Sequence, residues 1–156
     1  MRTSRTTGQK SVYERGITAL RWLVGIQTSP RGQLRPIGSN GFYKRNGARA
    51  SFDQQPIEAQ TTLSACLAAY RATADPWWHE QAQRAFDWFL GRNDLGLEVY
   101  ARQTGGCRDG LHVDRANENQ GAESMLAFLL SLAEMRLARR TADGVQRAAP
   151  AARLAL

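Results

Sequence analysis

Apolar positions recur at helical spacing in four stretches of the chain. Between Tyr13 and Gln27, Ile17, Leu20, Trp22, Leu23 and Val24 alternate with Glu14, Arg15 and Arg21, which predicts a helix with one wet side. Between Trp77 and Leu90, Trp78, Ala82, Ala85, Phe86 and Phe89 share a face, with Asp75 placed to cap the helix and Pro76 at its first position. The other two stretches are apolar on nearly every side: Ile57 to Tyr70, and AESMLAFLLSLAEM between Gly121 and Met135. A helix that is apolar all round must be buried all round. The pattern therefore predicts amphipathic outer helices alternating with buried inner ones, and Val145 to Leu156 fits a third outer helix.

The chain also matches itself at an offset of about 65 residues. ALRWLVGI (Ala19 to Ile26) aligns with AFDWFLGR (Ala85 to Arg92), QPIEA (55 to 59) with QGAES (120 to 124), and Thr-Ala-Asp follows each apolar run, at 73–75 and 141–143. Each unit reads as helix, long loop, helix. The implied fold class is all-α, an (α/α) toroid or partial toroid of helical hairpins with two repeats, an incomplete six-hairpin ring. Residues 1–11 are expected as a disordered segment, 12–138 as the helical domain (repeats 12–75 and 76–143) and 139–156 as a basic Ala/Arg-rich helix or tail. Two units do not close a ring, so the chain is expected to belong to a larger protein, or to cover its open edges with a partner domain or a homo-oligomer.

Both long loops, Thr28 to Phe52 and Asn93 to Asn117, lead into the inner helices and so lie at one end of the layer, where repeat proteins usually bind ligands. There the repeated Gln-x-x-Glu sets Gln55 with Glu58 and Gln120 with Glu123, one helical turn apart. Such amides can orient sugar hydroxyls, and two carboxylates flanking a glycosidic bond can act as general acid and base. The candidates for that chemistry are Glu58, Glu123 and Asp109. Asp53, Gln54, Gln55, His112, Asn119, Gln120 and Tyr43 are the candidate ligand contacts, with Tyr43 and Phe42 as a stacking platform. A competing account is helix capping alone, with Asp53 as N-cap, Asn117 and Gln120 as a capping box, and Arg49 or Arg108 pairing with Glu58 or Glu123. Trp22 and Trp88 occupy equivalent repeat positions and are expected in the core.

The net charge of +7 comes from 19 arginines and two lysines, spread along the chain without interleaved aromatics, so nucleic acid is not the expected partner. Cys66, Cys107, His79 and His112 lack the close spacing of a metal site, and neither metal nor cofactor is expected. No stretch reads as a signal peptide or a membrane span; a soluble, cytoplasmic protein is expected.

FDQQPIEA and NENQGAES, with TGGCRDGLH between them, resemble a helical region of bacterial proteins of the group 1 glycosyltransferase type, itself similar to six-hairpin glycosidases. The resemblance covers about Val12 to Arg139. It implies an (α/α) toroid with carbohydrate as ligand, and places Asp53, Gln54, Gln55, Glu58, Asp109, His112, Asn119, Gln120 and Glu123 on the cavity side. It transfers no catalytic assignment. The chain departs from the family in having four or five helices where a full ring needs about twelve, and in lacking the strand-helix alternation of a nucleotide-sugar transferase.

Overall fold

A computed structural model of the chain describes residues 10–148. Among these, four helices follow in order: α1 (Lys10–Ile26), α2 (Pro56–Thr73), α3 (Pro76–Phe89) and α4 (Ala122–Ala148). Lys10 and Ser11 open α1, so the expected disordered segment lies mostly outside the described residues. The expected C-terminal tail does so from Ala149 onward, while α4 runs without a break through residues 139–148.

Where the chain turns and where it continues follows from one residue. Thr73 ends α2, Ala74 adopts a left-handed conformation (φ 58°), and Asp75 caps α3 by accepting a hydrogen bond from the Trp77 N–H at 3.0 Å. Pro76 disfavours a helical Asp75 and forces the break. In the second Thr-Ala-Asp the next residue is Gly144, which imposes no such restriction, and the helix goes on.

The core centres on α2, which packs most extensively on α3 and next on α4. Leu63, Cys66 and Leu67 of α2 meet Trp78, Phe86 and Phe89 of α3 and Phe128 of α4. Within α2 only Thr61 and Arg71 are exposed. A polar seam from Gln60 through Ser64 to Glu134 ties α2 to α4. α1 docks through Leu20 and Val24, and Arg21 lies over the Trp77 ring at 4.4 Å while pairing with Asp75 at 3.5 Å. Trp88 is fully buried, but Trp22 is 59% exposed. Trp22 sits two residues from Leu20 and from Val24, and positions i and i+2 on a helix do not share a face.

The expectation for the second inner helix also needs correction. α4 buries Ala127, Phe128, Ser131 and Met135, whereas Leu126, Leu129, Leu130 and Leu137 are 47–64% exposed. α2 has α3 and α4 against it. α4 has no described element on its far side.

The all-α toroid is corrected as well. The four helices are joined by small antiparallel strand pairs and do not form an all-α ring of hairpins. β1 (Tyr100–Ala101) pairs with β2 (Gly106–Cys107), and β3 (Gly110–Leu111) with β4 (Ala116–Asn117). The second loop buries Val99, Ala101, Cys107, Leu111 and Ala116, and buried backbone groups must find partners. Short ladders supply them where no helix can form among Gly105, Gly106 and Gly110.

Candidate functional site at the junction of two loops

The end of the first loop adds to the ladder of the second. The Gln54 N–H donates to the Leu111 carbonyl and the Leu111 N–H to the Gln54 carbonyl, each at 2.9 Å. Gly110 permits this approach. Its φ is +146°, and a Cβ there would collide with the Gln54 carbonyl oxygen. Two polar clusters flank the junction.

The first cluster is closed. The Asp94 carboxylate, its side chain 6% exposed, accepts two hydrogen bonds from Arg35 at 2.7 Å each, one from Gln33 at 2.9 Å and one from Gln54 at 2.7 Å. Burial alone would raise its pKa, but the donors, led by Arg35, outweigh burial and hold the carboxyl below the ordinary aspartate range. Gln54 is fully buried, and its carbonyl oxygen accepts from the Trp88 indole at 2.8 Å. Its amide also donates to the Ser51 carbonyl at 2.9 Å. Every polar arm of Gln54 is occupied, leaving nothing for a ligand.

The second cluster is open. Nδ1 of His112 lies 2.8 Å from Oδ1 of Asp53. An ionised carboxylate can only accept, so Nδ1 is the donor of this pair, and in the neutral ring Nε2 is left as an acceptor. Asp53 is thus not the cap of α2; Gln55 holds that position. A cavity of about 440 Å³ is lined by Gln55, Asp109, Asn117, Glu123 and Ser124. Asp109 crosses from the loop to the start of α4, accepting from the Gly121 N–H at 2.8 Å and the Ser124 hydroxyl at 2.6 Å. A loop aspartate therefore caps α4 in place of the expected Asn117–Gln120 box, and the Asn117 side chain accepts from the Asn119 N–H at 3.1 Å.

The duplicated Gln-x-x-Glu does not produce duplicate environments. Glu58 is half-buried and accepts from the Gln55 N–H at 3.2 Å, the glutamate half of a capping box. Burial pushes its carboxyl up to about 7. Glu123 is exposed. Gln120 lines a separate cavity with Glu98, Thr104 and Arg108. Tyr43 is 44% exposed and its backbone bridges to Arg49 within the first loop. Neither expected arginine pairs with these glutamates: Arg49 donates to the Arg35 carbonyl at 2.9 Å, and Arg108 pairs with Glu118 at 3.0 Å.

Of the residues singled out from sequence, Gln55, Asp109 and Glu123 come together around one cavity, and Asp53 with His112 form one pair. Asp94, Arg35 and Gln33 escaped notice, although two polar side chains alternating around Leu34 were a sign of a strand-like segment with one polar face. Burial pushes both thiols, Cys66 and Cys107, up to about 12, so they stay protonated and unreactive. Among the described residues no group of three or more His, Cys, Asp or Glu side chains is placed to hold a metal ion, and no helix is long and apolar enough to cross a membrane. No protein-family model matches the chain, and no curated protein does either.

Proposed function

We propose that the chain binds a saccharide at the open cluster, as the helical portion of a carbohydrate-active protein. The observation that carries this reading is the Asp53–His112 pair at 2.8 Å, adjoining in sequence the residues of a cavity rich in carboxylate and amide groups. Neutral polyols are held by such mixed donors and acceptors. His112 with a free Nε2 can take a hydroxyl proton, and Asp109 and Glu123 are the carboxylates best placed at the cavity. Glu58, tied into its cap, tunes the helix start rather than touching ligand. The resemblance of FDQQPIEA and NENQGAES to a glycosyltransferase-associated region supports the same ligand class.

The test is calorimetric titration of neutral mono- and oligosaccharides into the wild type, His112→Ala and Glu123→Gln. Loss of binding in the variants with an unchanged melt supports the assignment. Binding unchanged in both variants removes it.

A second reading, a docking module, is favoured by the leucine face of α4. Its occupant would be a second copy of this chain, with the two α4 helices antiparallel. That arrangement is self-complementary about a twofold axis: it brings exposed Glu123 at one end of the face toward exposed Arg136 and Arg140 at the other. Sedimentation of the wild type and of Leu130→Glu decides it. A dimer that the substitution dissolves supports self-docking; a monomer at every concentration excludes it.

A further inference from the structure

Another cavity, of about 520 Å³, lies along α3 and is lined by Arg31, His79, Gln83, Arg84, Asp87 and Arg92, among others. Three guanidiniums reach it from three separate segments: Arg31 from the first loop, Arg84 from the middle of α3, and Arg92 from the turn that follows. Two carboxylates, Glu80 and Asp87, also line it. Asp87 is already engaged, by Arg92 at 3.2 Å and by Gln83 at 2.8 Å.

Arg84 is the unusual member. Among the described residues its Nε is buried with no acceptor in reach, and Nη1 donates to the Gly32 carbonyl at 3.4 Å. Burial disfavours its charged form, yet a guanidinium stays charged at neutral pH. Nε is shut off from the cavity, so a group bound there meets Arg84 through its terminal nitrogens, and among the described residues no carboxylate pairs with this cation. Arg31 is similarly short of charge: it donates to the Asp94 carbonyl at 3.0 Å, and its nearest carboxylate oxygen, on Asp94, is 4.0 Å away and already spoken for by Arg35.

We infer that this cavity is a binding site for a small phosphate monoester, with Arg84 and Arg31 on the phosphate and Arg92 at the rim. Three guanidiniums from different directions suit a tetrahedral group with several terminal oxygens better than a planar carboxylate, which one guanidinium fork satisfies. The volume exceeds what a phosphate alone fills. The rest of the cavity offers His79, Glu80 and Gln83, which suit a hydroxylated remainder. The inference stands apart from the open cluster and does not require it.

The experiment is calorimetric titration of glucose 6-phosphate, glucose and glucuronate into the wild type, Arg84→Lys, Arg92→Gln and His112→Ala at matched ionic strength. The phosphate ester should bind the wild type and His112→Ala alike, and at least about tenfold more tightly than glucuronate. Arg84→Lys keeps the charge but loses the guanidinium fork, and should weaken the ester at least about tenfold, the scale of one charge-assisted hydrogen bond. Arg92 is largely exposed, so Arg92→Gln should keep its fold and weaken the ester a few-fold; it decides the matter alone if Arg84→Lys does not melt cooperatively. Glucose 6-phosphate binding no better than glucose or glucuronate, or binding equally to wild type and Arg92→Gln, overturns the inference.

Discussion

The two polar clusters at the loop junction use the same kinds of side chain for opposite ends. Around Asp94 both carboxylate oxygens and every arm of Gln54 are engaged, so a buried carboxylate, a guanidinium, two amides and an indole form one connected network. Around Asp53, His112 and Asp109 the groups are partly paired and partly turned to solvent. Residue type alone does not separate structure from binding: Gln54 and Gln55 are neighbours in sequence, yet one is a buried hub and the other lines a cavity. The deciding quantity is how many of a side chain's donors and acceptors the fold already occupies.

The largest effect expected is at the closed cluster. Asp94→Ala leaves the Arg35 guanidinium and the Gln33 and Gln54 amides without their acceptor, and should cost about 3 to 5 kcal/mol, as for a broken buried pair. Asp53→Ala removes a half-exposed partner and should cost at most about 1 kcal/mol. Chemical denaturation of the two variants measures the contrast, and equal losses would erase the distinction between closed and open.

Next in size is Gly110→Ala, which drives a methyl group into the Gln54 carbonyl and strains a backbone conformation that suits glycine. We expect a loss of about 1 to 3 kcal/mol, together with faster amide exchange at Gln54 and Leu111, because the bridge that serves both clusters opens.

The smallest effect is pH-dependent. The Glu58 carboxyl titrates at about 7 in the folded chain against 4.5 in the unfolded one. Between those values the folded state holds the extra proton, so this residue makes stability fall as pH rises from about 4.5 to 7 and level off above. Glu58→Gln keeps the capping acceptor and should flatten that fall, leaving the variant relatively more stable at pH 8 than at pH 4.5. Asp94 works in the opposite sense: its contribution is lost only as pH drops below the ordinary aspartate range. Melting curves from pH 3 to 9 separate the two.

Much of the helical framework was legible in the sequence, because α1 and α3 carry a one-sided apolar pattern and α3 has its Asp75-Pro76 start. The limits are physical. Periodicity says that α2 and α4 are apolar, but not which neighbours exist to cover them, so α2 is enclosed and α4 leaves four leucines in solvent. Repeat equivalence put Trp22 beside Trp88, but Leu20 and Val24 set the facing side of α1 and turned Trp22 outward. The strand pairs are two residues long, too short for an alternating pattern to register. At the polar loop-to-helix junction, Gln55, Asp109 and Glu123 line one cavity, while Asp53 and His112 form a separate pair. Asp94 was not visible, since its partners stand at 33, 35 and 54 and only the folded chain brings them together.

The most direct measurement of the central claim is a thermal-shift screen of the wild-type chain against neutral mono- and oligosaccharides, with His112→Ala in parallel. A ligand that binds only the folded state raises its melting temperature. The account predicts a rise with one class of sugar in the wild type and none in His112→Ala, while both melt cooperatively from the same starting temperature. A cooperative melt that no saccharide moves, or a rise of equal size in both proteins, would contradict a saccharide site at the Asp53–His112 pair.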